Sequence, residues 1–90
     1  MEPTSHIDFV RQIAEAICVE PEKIEVESSI DEKGVLIKLF VARSDLGRMI
    51  GRGGETAQAV RTLLRGLGAR NSAHYGLKVD SKEPPEEEAE

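Results

Sequence analysis

Four glycines fall within eight positions near the middle of the chain, at Gly47, Gly51, Gly53 and Gly54. Each glycine inside a helix costs about 1 kcal/mol relative to alanine, so the run predicts a loop in a stretch that is otherwise compatible with helix. Because glycine has no Cβ, the backbone of such a loop can touch a ligand directly. Arg52 stands inside the run. A bare, positively charged loop of this kind predicts binding of a phosphate group.

The arginines of the chain are concentrated around these glycines. The 90 residues have a net charge of −5, yet residues 43–70 hold six of the seven arginines against only two acidic side chains. The six are Arg43, Arg48, Arg52, Arg61, Arg65 and Arg70. Residues 1–42 and 71–90 are both acidic on balance. A local field of one sign steers a partner of the opposite sign, so the central segment is expected to meet an anion.

The rest of the composition argues against several kinds of site. The chain has no Trp, one Tyr and two Phe, so an aromatic platform for stacked bases is not expected. His6 and His74 stand alone, and Cys18 has no second cysteine to pair with, so neither a metal site nor a disulfide is predicted. A Ser or Cys nucleophile would need a base and an orienting group beside it. We therefore expect no cofactor, no small-molecule substrate and no enzyme activity.

Length and hydropathy indicate one small domain, which we place in residues 1–81. No apolar run approaches the roughly 18 residues of a membrane span, and the N-terminus lacks the order of a secretory signal, so a cytoplasmic location without a membrane partner is expected. Residues 82–90, with Pro84, Pro85 and an acidic run, predict a disordered tail. Such a tail either serves only solubility or competes for the arginine-rich surface.

The first half of the chain predicts a helix followed by a hairpin. Apolar residues at helical spacing after a capping serine indicate an amphipathic helix over residues 5–18, ended by Pro21. Residues 23–28 alternate with period two, as in a strand with one buried face. After turn residues 31–34, the nearly continuous apolar run 35–41 predicts a central strand covered on both faces.

The second half predicts two helices on either side of the glycines. Ser44 or Asp45 is expected to cap a very short helix, and a second helix begins near Glu55. Gly66 and Gly68 are expected to break that second helix. Its inward stripe is predicted to consist of Ala57, Val60, Leu63, Leu64 and Leu67.

Another face of the second helix carries Gln58, Arg61 and Arg65 at i, i+3 and i+7. For the two arginines, exposure to solvent and contact with a ligand fit equally well. A polar loop over residues 69–73 then leads to a strand that alternates around Leu77.

The predicted order is helix, strand, strand, helix, glycine loop, helix, strand. A hairpin pairs the first two strands, and a helical crossover makes the third strand parallel to its neighbour. The expected fold is α+β with two layers, in which three helices pack on one face of a three-stranded mixed sheet.

A Gly-x-x-Gly turn between two helices is expected to expose the first backbone N–H groups of the second helix, with the positive end of its dipole behind them. Such a helix start binds anions. Gly51 and Gly54 would let a phosphodiester lie against the peptide, and Arg52 would close over it. Ile50 and Ala57 would supply an apolar floor for unstacked bases. Bases free to turn into a groove belong to single-stranded nucleic acid.

Other phosphate-binding motifs fit poorly. A dinucleotide fingerprint would need a third small residue at Thr56 and an acidic residue about 20 positions further on, where Gly76 stands. A nucleotide-binding P-loop would need Gly-Lys-Ser/Thr, which does not follow. A glycine-rich turn that only lets two helices pack closely stays open as an alternative.

The segment Met49-Ile50-Gly51-Arg52-Gly53-Gly54-Glu55-Thr56-Ala57 resembles the Ile-Gly-x-x-Gly-x-x-apolar signature of KH domains. The order of elements resembles their type II topology over about residues 5–81. The size of the chain and the sequence of residues 57–63 are similar to those of small bacterial KH proteins of the KhpA type. The pair Arg52-Gly53 departs from the pattern, since KH loops often carry two polar residues with a lysine.

The resemblance implies an RNA-binding protein that grips single-stranded RNA beside the loop, with residues 70–78 as the opposite wall of the groove. The residues assigned to RNA binding are Arg48, Ile50, Gly51, Arg52, Gly53, Gly54, Ala57, Arg61 and Arg70. The resemblance also implies a homodimer, or a heterodimer with a larger Jag-like KH protein. The implied cellular role is that of an RNA chaperone or post-transcriptional regulator linked to cell elongation.

Two functions follow from these observations. The first is a non-catalytic module that binds about four nucleotides of single-stranded RNA. The second is a protein-interaction module whose helix, loop and helix form a dimer surface, with RNA binding secondary. Exposure of Met49 or Leu46 would favour the dimer surface.

Overall fold

Three helices and three strands make up the part of the chain that the computed structural model describes, residues 5–83. In chain order they are α1 (His6–Ile17), β1 (Glu25–Asp31), β2 (Gly34–Phe40), α2 (Leu46–Ile50), α3 (Glu55–Asn71) and β3 (Tyr75–Asp80). Short 3-10 turns occupy Pro21–Lys23, Arg43–Asp45 and Arg52–Gly54. The α+β fold with the element order of a type II KH domain is therefore confirmed.

β2 is the central strand of the sheet, whose order is β1-β2-β3. β1 and β2 pair antiparallel through a two-residue turn, with Asp31 opposite Gly34. β3 pairs parallel to β2, with Leu77 opposite Ile37, after the crossover through α2 and α3. The predicted hairpin and the predicted parallel pair are both confirmed.

One face of the sheet packs against all three helices. Ile37, Leu39 and Leu77 are buried on that face. The helical residues buried with them are Val10, Ala14, Met49, Val60 and Leu64. These contacts make a single aliphatic core, which fixes α2 and α3 on the same side of the sheet.

Within residues 5–83 no second layer covers the opposite face of β2, so the prediction of a strand covered on both faces is wrong. Leu36, Lys38 and Phe40 alternate with the core residues and are only half-buried. At Phe40 the cover comes from the residues after β3, because the ammonium of Lys82 lies 4.7 Å from the centre of the Phe40 ring. A long side chain that follows the sheet thus shields part of an apolar run that a helix layer would otherwise cover.

α1 begins where the sequence predicts but ends earlier. The Ser5 hydroxyl accepts the backbone N–H groups of Ile7 and Asp8, at 3.2 and 3.4 Å. The helix stops at Ile17, and Pro21 opens a 3-10 turn instead of ending the helix. The first strand correspondingly starts and finishes slightly later than predicted.

α3 continues through both glycines that were expected to break it. Gly68 is buried, and a Cβ at this position would lie 2.5 Å from the carbonyl oxygen of Ala73. The glycine is therefore required by the close return of the chain after the helix, and the helix ends only before Ser72, which has a φ of 54°. The predicted polar loop over residues 69–73 is accordingly wrong for residues 69–71.

The inward stripe of α3 is narrower than predicted. Ala57, Val60 and Leu64 are buried, and Leu67 packs against the core while partly exposed. Leu63 is 54% exposed, so the prediction that it belongs to the buried stripe is wrong.

The chain after β3 stays against the domain as far as it is described. Lys82 Nζ lies 2.8 Å from Glu25 Oε1 and 3.2 Å from Glu27 Oε2 on β1. Residues 82 and 83 of the predicted tail therefore make contacts with the domain, while residues 84–90 lie outside the described part of the chain. Residues 81–83 are called the C-terminal strap below.

Candidate nucleic-acid interface

The predicted loop is a tight turn between α2 and α3. Gly51, Gly53 and Gly54 have φ angles of 79°, 61° and 83°. At Gly51 a Cβ would lie 2.7 Å from the backbone nitrogen of Thr56, so both the angle and the space exclude a side chain. Gly53 lies in the left-handed region that Asn and Asp also tolerate, and a Cβ there would meet nothing within 4 Å. The loop is therefore tight at its first glycine and open at its tip.

Several backbone amides of the loop are already used. The N–H of Gly51 donates to the carbonyl of Gly47, and that of Gly54 donates to the carbonyl of Gly51. The N–H of Glu55 donates to the carbonyl of Arg52. The expectation of free amides is thus wrong for Gly54 and Glu55, because the 3-10 turn satisfies them. The groups that could attract an anion here are instead the dipole of α3, which begins without a side-chain cap, and the Arg52 guanidinium.

α2 has five residues, too few to be stable alone, and is anchored at both ends. Met49 is fully buried in the core. Asp45 is 0% exposed, and its carboxylate accepts the backbone N–H of Val19 at 3.0 Å and of Glu20 at 2.9 Å. The prediction that Ser44 or Asp45 caps α2 with its side chain is therefore wrong. The carboxylate instead fixes α2, and the loop after it, to the end of α1.

Two central arginines are held by contacts with acidic residues, Arg43 through its backbone and side chain and Arg48 through an ion pair. Arg43 donates its backbone N–H to Glu83 Oε1 at 2.6 Å and Nη2 to the Glu83 carbonyl at 2.8 Å. Arg48 Nε lies 3.6 Å from the buried Asp45 Oδ1 while its side chain stays more than half exposed. Part of the positive charge predicted for the central segment is thus compensated within the domain.

The other four arginines differ in how strongly they are engaged. Arg61 donates from Nη2 to the carbonyl oxygen of Leu77 at 3.2 Å, which ties α3 to the edge strand β3. Arg65 makes one long hydrogen bond of 3.4 Å to a threonine hydroxyl. Arg52 and Arg70 are exposed and have no ion pair within residues 5–83. Arg52, at the tip of the loop, is therefore free to meet a ligand.

Arg70 lies apart from the loop. It sits in the last turn of α3, about 24 Å along the helix axis from Gly54 at 1.5 Å per residue. At 100° per residue it is also about 180° around the helix from Arg61. The structure therefore does not bring Arg70 together with the other predicted site residues, because the helix extends where a loop was predicted.

A groove of about 440 Å³ runs between α3 and β3. It is lined by Gln58, Arg61 and Arg65 of α3, by residues 73–77, and by Leu36 of β2. The strand expected as the opposite wall does line this groove. Near the loop, Ile50 is 38% exposed whereas Ala57 is 4% exposed, so the apolar surface there belongs mainly to Ile50.

One residue at this site was missed as a functional candidate, and another was left open between ligand contact and exposure to solvent. The residue left open is Arg65, which lines the groove. Its spacing of four residues from Arg61 had placed both arginines on one helix face. Asp45 was seen only as a cap, and no local pattern indicates that its partners lie 25 and 26 residues earlier in the chain.

Other chemistry has little support in the described part of the chain. Burial, followed by the nearby charge of Asp45, raises the pKa of the Cys18 thiol to about 11, so the thiol stays protonated near neutral pH. Within residues 5–83 there is no group of three His, Cys, Asp or Glu side chains that could hold a metal ion. None of the three helices is both long and apolar enough to cross a membrane.

Residues 7–79 match the protein family described as KhpA/KhpB, KH domain. The chain is 36% identical over 74 residues to RNA-binding protein KhpA of Mycobacterium tuberculosis (strain ATCC 25618 / H37Rv), which is 82% of this chain and 86% of that protein. It is 38% identical over 72 residues to RNA-binding protein KhpA of Caldanaerobacter subterraneus subsp. tengcongensis, which is 80% of this chain and 96% of that protein. The protein of the same name from Chlamydia caviae is 31% identical over 72 residues, which is 80% of this chain and 92% of that protein. The matched residues include α2, the glycine loop and α3 in full.

Proposed function

Because this chain belongs to the KhpA/KhpB family of KH domains, we propose that it is a non-catalytic RNA-binding protein that grips single-stranded RNA through residues 51–54 and the adjoining groove. The observation that carries the proposal is the turn of bare peptide at the start of α3, with the unpaired Arg52 at its tip. The names of the mycobacterial and other relatives, each called an RNA-binding protein, support the same ligand.

In the proposed complex, the phosphates follow the loop and the bases turn into the groove. The positive end of the α3 dipole and the Arg52 guanidinium attract the phosphodiester. Ile50 offers apolar surface to the first base. Arg48 can contribute the guanidinium nitrogens that Asp45 does not engage, and Arg61 shapes the groove through its bond to Leu77. A loop of this type spans about four nucleotides.

A charge reversal at the tip of the loop tests the proposal. The double variant R52D/G53D places two negative charges on the phosphate path, and Asp tolerates the φ of 61° at the second position. Its affinity for a fluorescent single-stranded RNA, measured by anisotropy, is expected to fall at least about tenfold. The matched control R52N/G53N has the same shape without the charge and should lose only the contribution of Arg52. Circular dichroism establishes that both variants fold.

The salt dependence provides an independent check. With three or four phosphates neutralised, the affinity of the wild-type protein should fall with a log-log slope of about −2 to −3. Unchanged affinity in a folded R52D/G53D variant would show that the loop is not the site. The same conclusion would follow if the amide chemical shifts of residues 50–56 stayed constant during titration with RNA.

We further propose that the protein acts in the cytoplasm as an RNA chaperone or post-transcriptional regulator linked to cell elongation. Support for this role comes from the resemblance to small bacterial KH proteins. Crosslinking in cells followed by sequencing of the bound RNA tests it, because transcripts should be recovered with the wild-type protein and depleted with R52D/G53D.

A second proposed function is dimerisation through one side of α3. Met49 is buried and Leu46 is half-buried, so neither marks a dimer surface. Leu63, in contrast, is exposed at the middle of the helix. The exposed residues on the same side are Glu55, Ala59, Thr62, Gly66 and Arg70. At 100° per residue this side lies opposite the core and apart from the groove, so a protein partner and RNA can bind together.

The sequence of this side is complementary to itself. If a second copy of α3 lies antiparallel about a two-fold axis near Leu63, Ala59 faces Gly66 of the second copy, and these small residues allow close approach. Glu55 then faces Arg70 of the second copy at both ends of the contact. Opposite charges at the ends and an apolar centre favour a homodimer. A larger Jag-like KH protein with a similar helix would form the heterodimer in the same way.

Mass in solution, measured by light scattering, tests the dimer. L63E should be monomeric at concentrations where the wild type is dimeric, with its affinity for RNA retained. E55R and R70E should each weaken the dimer because like charges then face each other, and the double variant E55R/R70E should restore it. A monomeric wild-type protein, or a dimeric L63E, would contradict this arrangement.

A further inference from the structure

Arg65 is a cation in the groove whose donors are nearly all unused. Its only hydrogen bond within residues 5–83 is the long one of 3.4 Å from Nη2 to the Thr62 hydroxyl. Arg61, one helical turn earlier, donates from both Nε and Nη2 to the Leu77 carbonyl. The two arginines therefore lie on the same helix face but differ in how many of their donors are used within the domain. Arg61 is tied to the edge strand, whereas the planar fork of Arg65 is free to bind a ligand.

The surroundings of Arg65 suit a base better than a phosphate. The groove that it lines also contains Leu36, Ala73 and the side-chain-free Gly76. These residues form an apolar wall against which the flat face of a base can pack. The loop that would hold the phosphates is about 16 Å away along the axis of α3, at the other end of the binding surface. Bases turned from that loop into the groove would present their edges to Arg65.

The donor geometry of arginine selects among the four bases. A guanidinium fork donates two parallel hydrogen bonds and accepts none, so it matches two adjacent acceptors. Guanine has such a pair at O6 and N7, and unpaired cytosine has one at O2 and N3. Adenine places its N6 amino donor beside N7, and uracil places its N3–H beside O4, so each would set a donor against the fork.

We propose that Arg65 is a specificity-determining residue that recognises a base with two adjacent acceptors, guanine or cytosine, in the groove between α3 and β3. The proposal rests on the function proposed above, that single-stranded RNA occupies this groove. It adds a sequence preference and assigns that preference to one side chain.

A panel of short RNAs tests the proposal. The panel consists of four seven-nucleotide RNAs that are uridine at every position except the centre, which is guanosine, cytidine, adenosine or uridine. The affinity of the full-length chain for each RNA is measured by fluorescence anisotropy. The wild-type protein should bind the guanosine or cytidine oligonucleotide about tenfold more tightly than the all-uridine one, which also decides between the two bases. R65Q should lose this difference while its affinity for the all-uridine tract stays within about twofold.

The matched control is R11Q, which removes an exposed arginine from α1 and should leave the preference intact. If Arg65 contacts a phosphate instead, R65Q will weaken all four oligonucleotides equally and reduce the salt slope by about 0.7, which overturns the proposal. Equal affinity of the wild type for all four oligonucleotides also overturns it, with RNA binding intact. Failure of the RNA-binding function itself would look different, because no oligonucleotide would bind and the amides of the loop would not shift.

Discussion

At the scale of single residues, Asp45 illustrates how one buried charge positions a binding loop. A carboxylate removed from water is stable only when other groups replace the water. Here two backbone N–H groups and the Arg48 guanidinium do so. The two N–H groups belong to the chain just after α1, where no helical partner is available. The carboxylate therefore links the end of one helix to the start of the helix that leads into the glycine loop.

Replacing Asp45 by alanine should lower the free energy of unfolding by about 2–4 kcal/mol, because the N–H groups of Val19 and Glu20 lose their acceptor. D45N keeps the shape of the side chain and one oxygen acceptor, so its free energy of unfolding should fall by less than that of D45A. Urea denaturation measures both. The control D8A removes an exposed carboxylate from the first turn of α1 and should cost less than about 1 kcal/mol. Wild-type stability in D45A would show that the buried hydrogen bonds contribute nothing.

At the scale of elements, α3 contains two glycines, Gly66 and Gly68, of which the packing of the domain requires only one. A Cβ at Gly66 would meet nothing within 4 Å, so that glycine is not required by packing. A Cβ at Gly68 would press against the Ala73 carbonyl, where the chain turns back toward β3. Gly68 therefore allows the helix and the final strand to approach, which in turn sets the position of the groove between them.

The two glycines should respond oppositely to alanine. G66A is expected to raise the free energy of unfolding by about 0.5–1 kcal/mol, because alanine loses less backbone entropy in a helix. G68A should lower it by about 1–3 kcal/mol, because the backbone must shift to admit the methyl group. Thermal unfolding at a concentration where both variants are monomeric provides the comparison. Equal changes in the two variants would contradict the assigned roles.

At the scale of the whole molecule, ion pairs join the C-terminal strap to distant parts of the domain. Glu83 Oε2 lies 2.5 Å from Lys23 Nζ, and the same carboxylate accepts the backbone N–H of Arg43. These contacts lower the pKa of Glu83 and raise that of Lys23, the hydrogen bond between the two side chains being the largest cause of each shift. The strap thus connects the end of β3 to both 3-10 turns that flank the hairpin.

The stabilisation by Glu83 should depend on pH in a defined direction. Because its pKa is lower in the folded state than the ordinary 4.5, the stabilisation is complete above about pH 4.5 and is lost as the pH falls through the folded value. The raised pKa of Lys23 keeps that side of the pair charged up to at least about pH 10.5. E83Q should therefore have a lower Tm than the wild type at pH 7, and the difference should shrink at pH 3.

The control for this experiment is E15Q, which removes an exposed carboxylate from α1 that has no ion pair within residues 5–83. It should show little difference in Tm at either pH. A difference between E83Q and the wild type that is the same at pH 3 and pH 7 would rule out the ion pair as its source. High salt should reduce the difference at pH 7, because both partners are exposed.

The sequence by itself determined the order of elements, the hairpin, the parallel third strand and the position of the glycine loop. Each of these depends on local information: period-two and helical patterns, turn residues, and the run of closely spaced glycines. It also indicated that Arg61 and Arg65 share a helix face, since their spacing alone requires it.

Only the tertiary structure decided which polar side chains are used inside the domain and which remain available to bind a ligand. Asp45 and Arg61 form their hydrogen bonds with groups at least 16 residues away, and Gly68 is required by the return of the chain toward β3. Such partners are set by the packing of α1, α2 and α3 on one sheet face, and no short window of sequence contains them. The same packing leaves Leu63 exposed and frees Arg52 and Arg65, because burial and pairing depend on which faces meet.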